Sequence, residues 1–267
     1  MFLFRLYILA CLAMFTFDSM AEETIRQKQK VIVNGEMEEW LLKWTGPVKP
    51  VCASSDLPTA MTCPCAGFAY GEQGKLSLER TRSGAIVESM NLSTLFEESD
   101  NPADTGNAAL RLRARNEDDP FDGIDDPNDR RKFDAAVMLR PIADVIDVQD
   151  FSQDGMKSTF LLQVGNLPCG KRSMVLIGVS KSVPHLHAFT TIAHPERPLV
   201  LQAHEWMAVL NTGGTVAVTD WNCGDHGSEN EIEKIILAHQ GTFEIKSNTY
   251  SCQKDGPRGA LLKSEEQ

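Results

Sequence analysis

Apolar and polar positions alternate with a period of two over much of this chain, which is the signature of half-buried strands. Val31-Ile32-Val33 is a β-branched run closed by Asn34-Gly35, a pair that favours positive φ and tight hairpins. Glu39 to Trp44 reads as the returning strand, ending at Gly46-Pro47. Residues 47 to 66 combine Pro47, Pro50, Pro58 and Pro64 with Cys52, Cys63 and Cys65, so irregular, covalently pinned chain is expected there. Gly67 to Gly71 and Lys75 to Arg80 resume the alternation, Ile86-Val87 adds a further strand, and Leu92 to Phe96 closes the unit. Between residues 97 and 131 the apolar period disappears among Pro, Gly, Asp and Asn, which predicts a linker or long surface loop with a turn of helix at Ala108 to Leu112.

The second half is more regular. Ala143 to Val148 alternates, Phe160 to Val164 is a buried strand, and Ser173 to Val179 and His187 to Ile192 follow as strands with short connections, an antiparallel meander. Pro198 to Asn211 differs: Leu199, Leu201, Ala203, Trp206, Met207 and Leu210 fall mainly at helical separations, and Asn211-Thr212-Gly213-Gly214 is a helix stop. Val216 to Val218, Ile232 to His239 and Phe243 to Tyr250 then read as strands, with Gln240-Gly241-Thr242 turning between the last two. The expected class is α+β, predominantly antiparallel β with one clear helix, stapled by disulfides. Its expected divisions are a β-rich region over 22–96, the acidic linker 97–131, a β-rich region with the helix over 132–255, and a polar, frayed tail over 256–267.

The first residues change the picture of compartment. Arg5 precedes the apolar run Leu6 to Phe17, and Ser19-Met20-Ala21 supplies small residues where a signal peptidase cleaves, so residues 1–21 read as a secretory signal peptide. The run falls well short of the roughly twenty apolar residues that cross a bilayer, and no later stretch is a candidate span. A secreted or periplasmic location follows. Without Cys11, which lies in the leader, the chain keeps Cys52, Cys63, Cys65, Cys169, Cys223 and Cys252, an even set for disulfides in an oxidising compartment. A bond between Cys63 and Cys65 would close a strained ring, so each is expected to reach a distant cysteine and join the two halves of the chain. The net charge of −11, concentrated between Glu97 and Asp129, makes nucleic acid and anionic membranes poor partners. An extracytoplasmic ligand or protein is the expected partner.

One stretch has oxygen-bearing residues at metal-ligand spacing. Calcium takes six or more oxygens, which a chain supplies from alternate positions around a glycine that permits a sharp turn. Asp150, Ser152 and Asp154 stand first, third and fifth, Gly155 sixth, the Met156 carbonyl seventh and Ser158 ninth. With the apolar Phe160 to Val164 behind it, this resembles the calcium loop of the FG-GAP (integrin-α-like, VCBS) repeats. The resemblance covers one copy, and Ser158 stands where those repeats carry Asp. It implies a weak calcium site in a loop between adjacent strands. The same residues without an ion make a tight Asp-Gly turn closed by its own side-chain hydrogen bonds. The acidic run Asp118 to Asp126 is dense enough to attract calcium too, or is simply a solvated loop.

Two other groupings bear on chemistry. His185 and His187 share a strand face and suit zinc or copper, with His194, His204, Asp225 or His226 as further ligands. The alternative is ordinary rim histidines. Cys223 to Glu229 brings Asp225, His226 and Ser228 near flexible glycines, which suits acid, base or nucleophile, or else a disulfide-anchored turn. Trp40, Trp44, Trp206 and Trp221 with Tyr70 suit either a carbohydrate platform or core packing. His204-Glu205 lacks the second histidine of a zinc-protease helix, since Ala208 stands in its place. Two functions follow: a non-catalytic binding or structural module with a weak calcium site, or a metal-dependent hydrolase using His185, His187, Asp225 and His226.

Overall fold

The computed structural model describes residues 23–51, 69–96, 107–113, 124, 126–166, 172–224, 227–253 and 257–267. The leader, Cys52, Cys63, Cys65, Cys169, Asp225, His226 and most of the acidic run Asp118 to Asp126 lie outside these residues. The fold is α+β, built mainly of antiparallel sheets with helices added.

The first sheet begins with β1 (Glu23–Val33) and β2 (Glu36–Val51), joined at Asn34-Gly35. Both turn residues have positive φ (52° and 84°), as a two-residue hairpin that follows the strand twist requires. β3 (Ala69–Arg82) pairs with β2 along one edge. Its other edge is shared by β4 (Ala85–Asn91) and β5 (Ala108–Arg113). The stretch expected to make a helical turn at Ala108 is therefore a strand, because Ala108 and Leu110 alternate inward to complete the core.

The middle sheet contains β6 (Thr159–Asn166) and β7 (Arg172–Gly178), with β8 (His187–Ala188) and β9 (Val200–Gln202) sharing the far edge of β7. Both of its faces are covered. Phe160, Leu162, Val164, Val175 and Ile177 pack with Trp40, Leu42, Trp44, Leu76 and Leu78 of the first sheet. Met174 and Leu176 point the other way, toward Trp206, Phe243 and Ile245. That is why Met174 to Ile177 is an unbroken apolar run: no position faces water.

The third sheet is the meander β10 (Gly214–Trp221), β11 (Asn230–His239), β12 (Thr242–Cys252) and β13 (Arg258–Glu266). The tail expected to fray is thus a paired edge strand. Its side chains are exposed on both faces, so backbone bonding to β12 holds it and no alternation announces it. A helix, α2 (Ala203–Thr212), contributes Trp206 and Val209 to the core shared with the third sheet. It starts five residues later than the Pro198 expected, because Val200 to Gln202 is taken by β7 and Glu205 reaches back to the Gln202 N–H at 2.7 Å.

Three more departures stand out. A second helix, α1 (Pro127–Met138), crosses the boundary placed at residue 131. Asp126 caps it, accepting from the Asn128 and Asp129 N–H groups at 2.8 and 3.0 Å, and Pro127 occupies the first turn. Only Val137 of α1 is buried, so it shows no apolar stripe. Ala143 to Val148 is no strand, since the Gln27 side chain takes its backbone instead: Oε1 accepts from Val145 and Ile146 N–H, and Nε2 donates to the Ile146 carbonyl at 3.1 Å. Likewise, regular pairing after His187 stops at Ala188.

Candidate functional site

The loop from Asp150 to Ser158 enters the middle sheet and closes on its own backbone. Asp150 Oδ1 accepts from the Asp154 N–H at 3.1 Å and the Ser152 hydroxyl at 3.4 Å, and Oδ2 accepts from the Gly155 N–H at 2.9 Å. Asp154 Oδ1 accepts from the Met156 N–H at 2.9 Å, and its Oδ2 from the Lys181 N–H at 2.7 Å. The Ser158 hydroxyl donates to the Val179 carbonyl at 2.8 Å. Lys181 brings a positive charge, its ammonium donating to the Asp154 carbonyl. All four carboxylate oxygens expected to face calcium thus accept N–H or O–H donors, and Ser158 faces the neighbouring strand. Gln153 and Gly155 take positive φ (54° and 84°), which lets so short a loop reverse.

The loop also touches every layer behind it. Phe151 lies edge-on to Trp206 of α2, with ring centroids 6.2 Å apart. Gln153 Nε2 donates to the Val209 carbonyl at 3.2 Å, near the end of α2. The Gly241 N–H, in the hairpin between β11 and β12, donates to the Ser152 carbonyl at 2.8 Å. Ser152 and Ser158 are fully buried. The arrangement is a polar node joining the middle sheet, α2 and the third sheet.

The histidines are placed differently. His185 is exposed, with Nδ1 3.9 Å from Glu88 Oε1. The His187 ring lies against Phe189 at a centroid distance of 4.2 Å, and its Nδ1 is 2.8 Å from the His185 carbonyl. Burial lowers the His187 pKa, which the hydrogen bond to His185 opposes only in part. Among the described residues no three His, Cys, Asp or Glu side chains gather where they would hold a metal ion. His194 pairs with Glu196 at 3.3 Å, and His204 Nε2 lies 3.4 Å from the Thr219 carbonyl. Trp40, Trp44 and Trp206 are core residues, which removes them from any carbohydrate platform.

Several ionic groups among the described residues are buried and carry no motif, two of them built on a fully buried carboxylate. Glu38 and Arg80 lie on the inner face of the first sheet, and Arg80 also reaches Glu88 and the Pro184 carbonyl, at 2.8 and 3.2 Å. Glu88 in turn accepts from the Leu186 N–H at 2.9 Å, so this network fastens residues 184–186 to the first sheet. The second group is Lys234 between Glu205 and Asp220, at 3.0 and 2.9 Å. Burial works against the charge on Lys234, but the two carboxylates outweigh it and raise its pKa. Period two could have found the first group: Glu38, Trp40, Leu42 and Trp44 share one face, as do Arg80, Leu78 and Leu76.

Cys223 and Cys252 form a disulfide, their Cα atoms 5.5 Å apart, across the third sheet. Among the described residues no helix is long and apolar enough to cross a membrane. No model of a protein family, no curated protein and no solved structure matches the chain.

Proposed function

We propose that the protein is a secreted or periplasmic, non-catalytic binding or structural module. The observation that supports this reading best is the use made of Asp150 and Asp154. A catalytic or tightly metal-binding carboxylate keeps oxygens free for substrate or ion, whereas these two accept donors from Gly155, Asp154, Met156 and Lys181 and so close the loop on itself and on the chain that follows β7. Calcium at this loop would have to compete with those donors and with the Lys181 ammonium, so its affinity would be weak, with Kd on the order of 1 mM.

The test is elemental analysis of the purified mature protein, combined with thermal melts in chelator and in several millimolar calcium. The module reading expects less than stoichiometric zinc and a Tm unchanged by chelator, with at most a small rise in calcium. One zinc per chain, lost together with hydrolytic activity in His185→Ala and His187→Ala, would establish the hydrolase instead.

A further inference from the structure

Three elements converge on the Lys234 ammonium. Lys234 lies between Ile232 and Ile236 on one face of β11, and its cross-strand neighbours are Val218 of β10 and Ser247 of β12. Asp220 is the extra residue where the pairing of β10 with β11 slips between Thr219 and Trp221, and a bulge of this kind re-aims a side chain. Its Oδ2 is 2.9 Å from Lys234 Nζ. Glu205, in the first turn of α2, is fully buried, and its Oε1 is 3.0 Å from the same nitrogen.

Both carboxylates are held in place. The Gln202 N–H donates to Glu205 Oε2 at 2.7 Å, and the Gln202 side-chain amide donates to Asp220 Oδ1. Glu205 Oε1 is buried and has no aligned donor among the described residues, so a lone pair remains there to take a proton. The site is nearly dry: the Lys234 and Asp220 side chains are 13% and 10% exposed, while Trp206, next to Glu205, and Ile236, one strand period from Lys234, are fully buried. Desolvation penalises charged forms, so burial narrows the gap between an ammonium–carboxylate pair and the neutral amine and carboxylic acid made by moving one proton.

We propose that Lys234 and Asp220 join in an intramolecular isopeptide bond, with Glu205 carrying the proton between them. Because the resting Lys234 is an ammonium, its proton first passes to Asp220 Oδ2, leaving an amine beside a carboxylic acid. Nζ then adds to Asp220 Cγ, and the Gln202 amide stabilises the negative charge that develops on Oδ1. Glu205 accepts a proton from the nitrogen and delivers it to Oδ2. The Cγ–Nζ bond is made, the Cγ–Oδ2 bond breaks and one water leaves, so Glu205 ends as a carboxylate and no oxidant or cofactor is consumed. Holding amine and carboxyl at hydrogen-bond distance makes the step unimolecular. It occurs once per chain, ties β10 covalently to β11, and depends neither on the compartment nor on the module reading.

The experiment is mass spectrometry of the purified full chain after reduction of its disulfides, first intact and then digested on the carboxyl side of glutamate. Cleavage after Glu205, Glu229 and Glu233 puts Asp220 and Lys234 on different peptides. The expected result is a chain lighter than its sequence by one water, with those two peptides joined. A chain of full mass with both residues unmodified overturns the proposal, and so does a loss of water that leaves the two peptides separate. Lys234→Met and Asp220→Ala should each restore the full mass; a loss of water that persists in either overturns the assignment. Glu205→Gln, checked for a native circular dichroism spectrum, keeps both partners and should abolish the bond, and bond formation to the same extent as in the unaltered chain overturns the role given to Glu205.

Discussion

Glu38 of β2 and Arg80 of β3, which stands opposite Trp40, meet diagonally in a two-pronged ion pair, Nε to Oε2 at 2.8 Å and Nη2 to Oε1 at 2.9 Å, on the inner face of the first sheet. Glu38 is 1% exposed and Arg80 3%. The Trp40 indole and Arg82 also donate to Glu38. A buried pair of this kind contributes little net stability, but removing one partner leaves the other charged and unpaired. Glu38→Ala should therefore cost about 3–5 kcal/mol in urea unfolding. A joint replacement of Glu38 and Arg80 by apolar residues should cost clearly less than the single changes combined.

The same group sets acid sensitivity. Burial alone would raise the Glu38 pKa, yet hydrogen bonds from Arg80, Arg82 and Trp40 outweigh it and hold the pKa below the ordinary 4.5. A depressed folded pKa contributes stability that is present above the unfolded value and is lost as pH falls through the folded one. Unfolding free energies should decline below about pH 4.5. Glu38→Gln should flatten that decline.

His187 acts in a separate window. Its folded pKa is below the ordinary 6.5, so as pH falls through that value the unfolded chain takes up a proton that the folded chain resists. Tm should drop as pH falls below about 6.5. His187→Phe should remove this part of the pH dependence, whereas His185→Phe, at an exposed position, should leave it unchanged.

At the loop, Asp154→Ala deprives the buried Met156 N–H and the Lys181 N–H of their acceptor, which should cost about 2–3 kcal/mol. Asp154→Asn keeps one acceptor oxygen and should cost less. Equal costs in chemical denaturation for the two variants would refute the hydrogen-bonding role assigned to both Asp154 oxygens.

Gly178 cannot be replaced. A Cβ built there falls 2.1 Å from the Ser158 carbonyl oxygen and 2.8 Å from Thr159 Cα, at a φ of 152°. Gly178→Ala should destabilise by about 3 kcal/mol or more, whereas Gly35→Ala, whose Cβ meets nothing within 4 Å, should lose only the smaller cost of its positive φ.

What the amino-acid order determined by itself is local. Apolar runs and alternation marked β2, β7, β11, β12 and the end of β1 at Val31 to Val33, because one face of each must be apolar or both must be, whereas the polar start of β1 carried no such sign. Asn34-Gly35 and Gln240-Gly241 announced their hairpins, and the apolar spacing from Leu199 to Leu210 announced α2 because a helix must bury a stripe. Where burial does not write a pattern, the sequence was silent. α1 buries only Val137, and β13 exposes both faces, so neither could be distinguished from polar chain. Asp126-Pro127 was the one available sign of α1.

Tertiary structure decided the use of each polar group. Asp150 and Asp154 stand at a spacing that suits calcium, but whether their oxygens meet an ion or an N–H depends on Lys181 and Gly155 folding back onto them. Glu38 and Arg80 are ordinary charges along the chain, and only the registry of β2 with β3 brings them together and away from water. Spacing sets what a side chain is able to hold; its neighbours across the layers, which sequence distance does not encode, set what it holds.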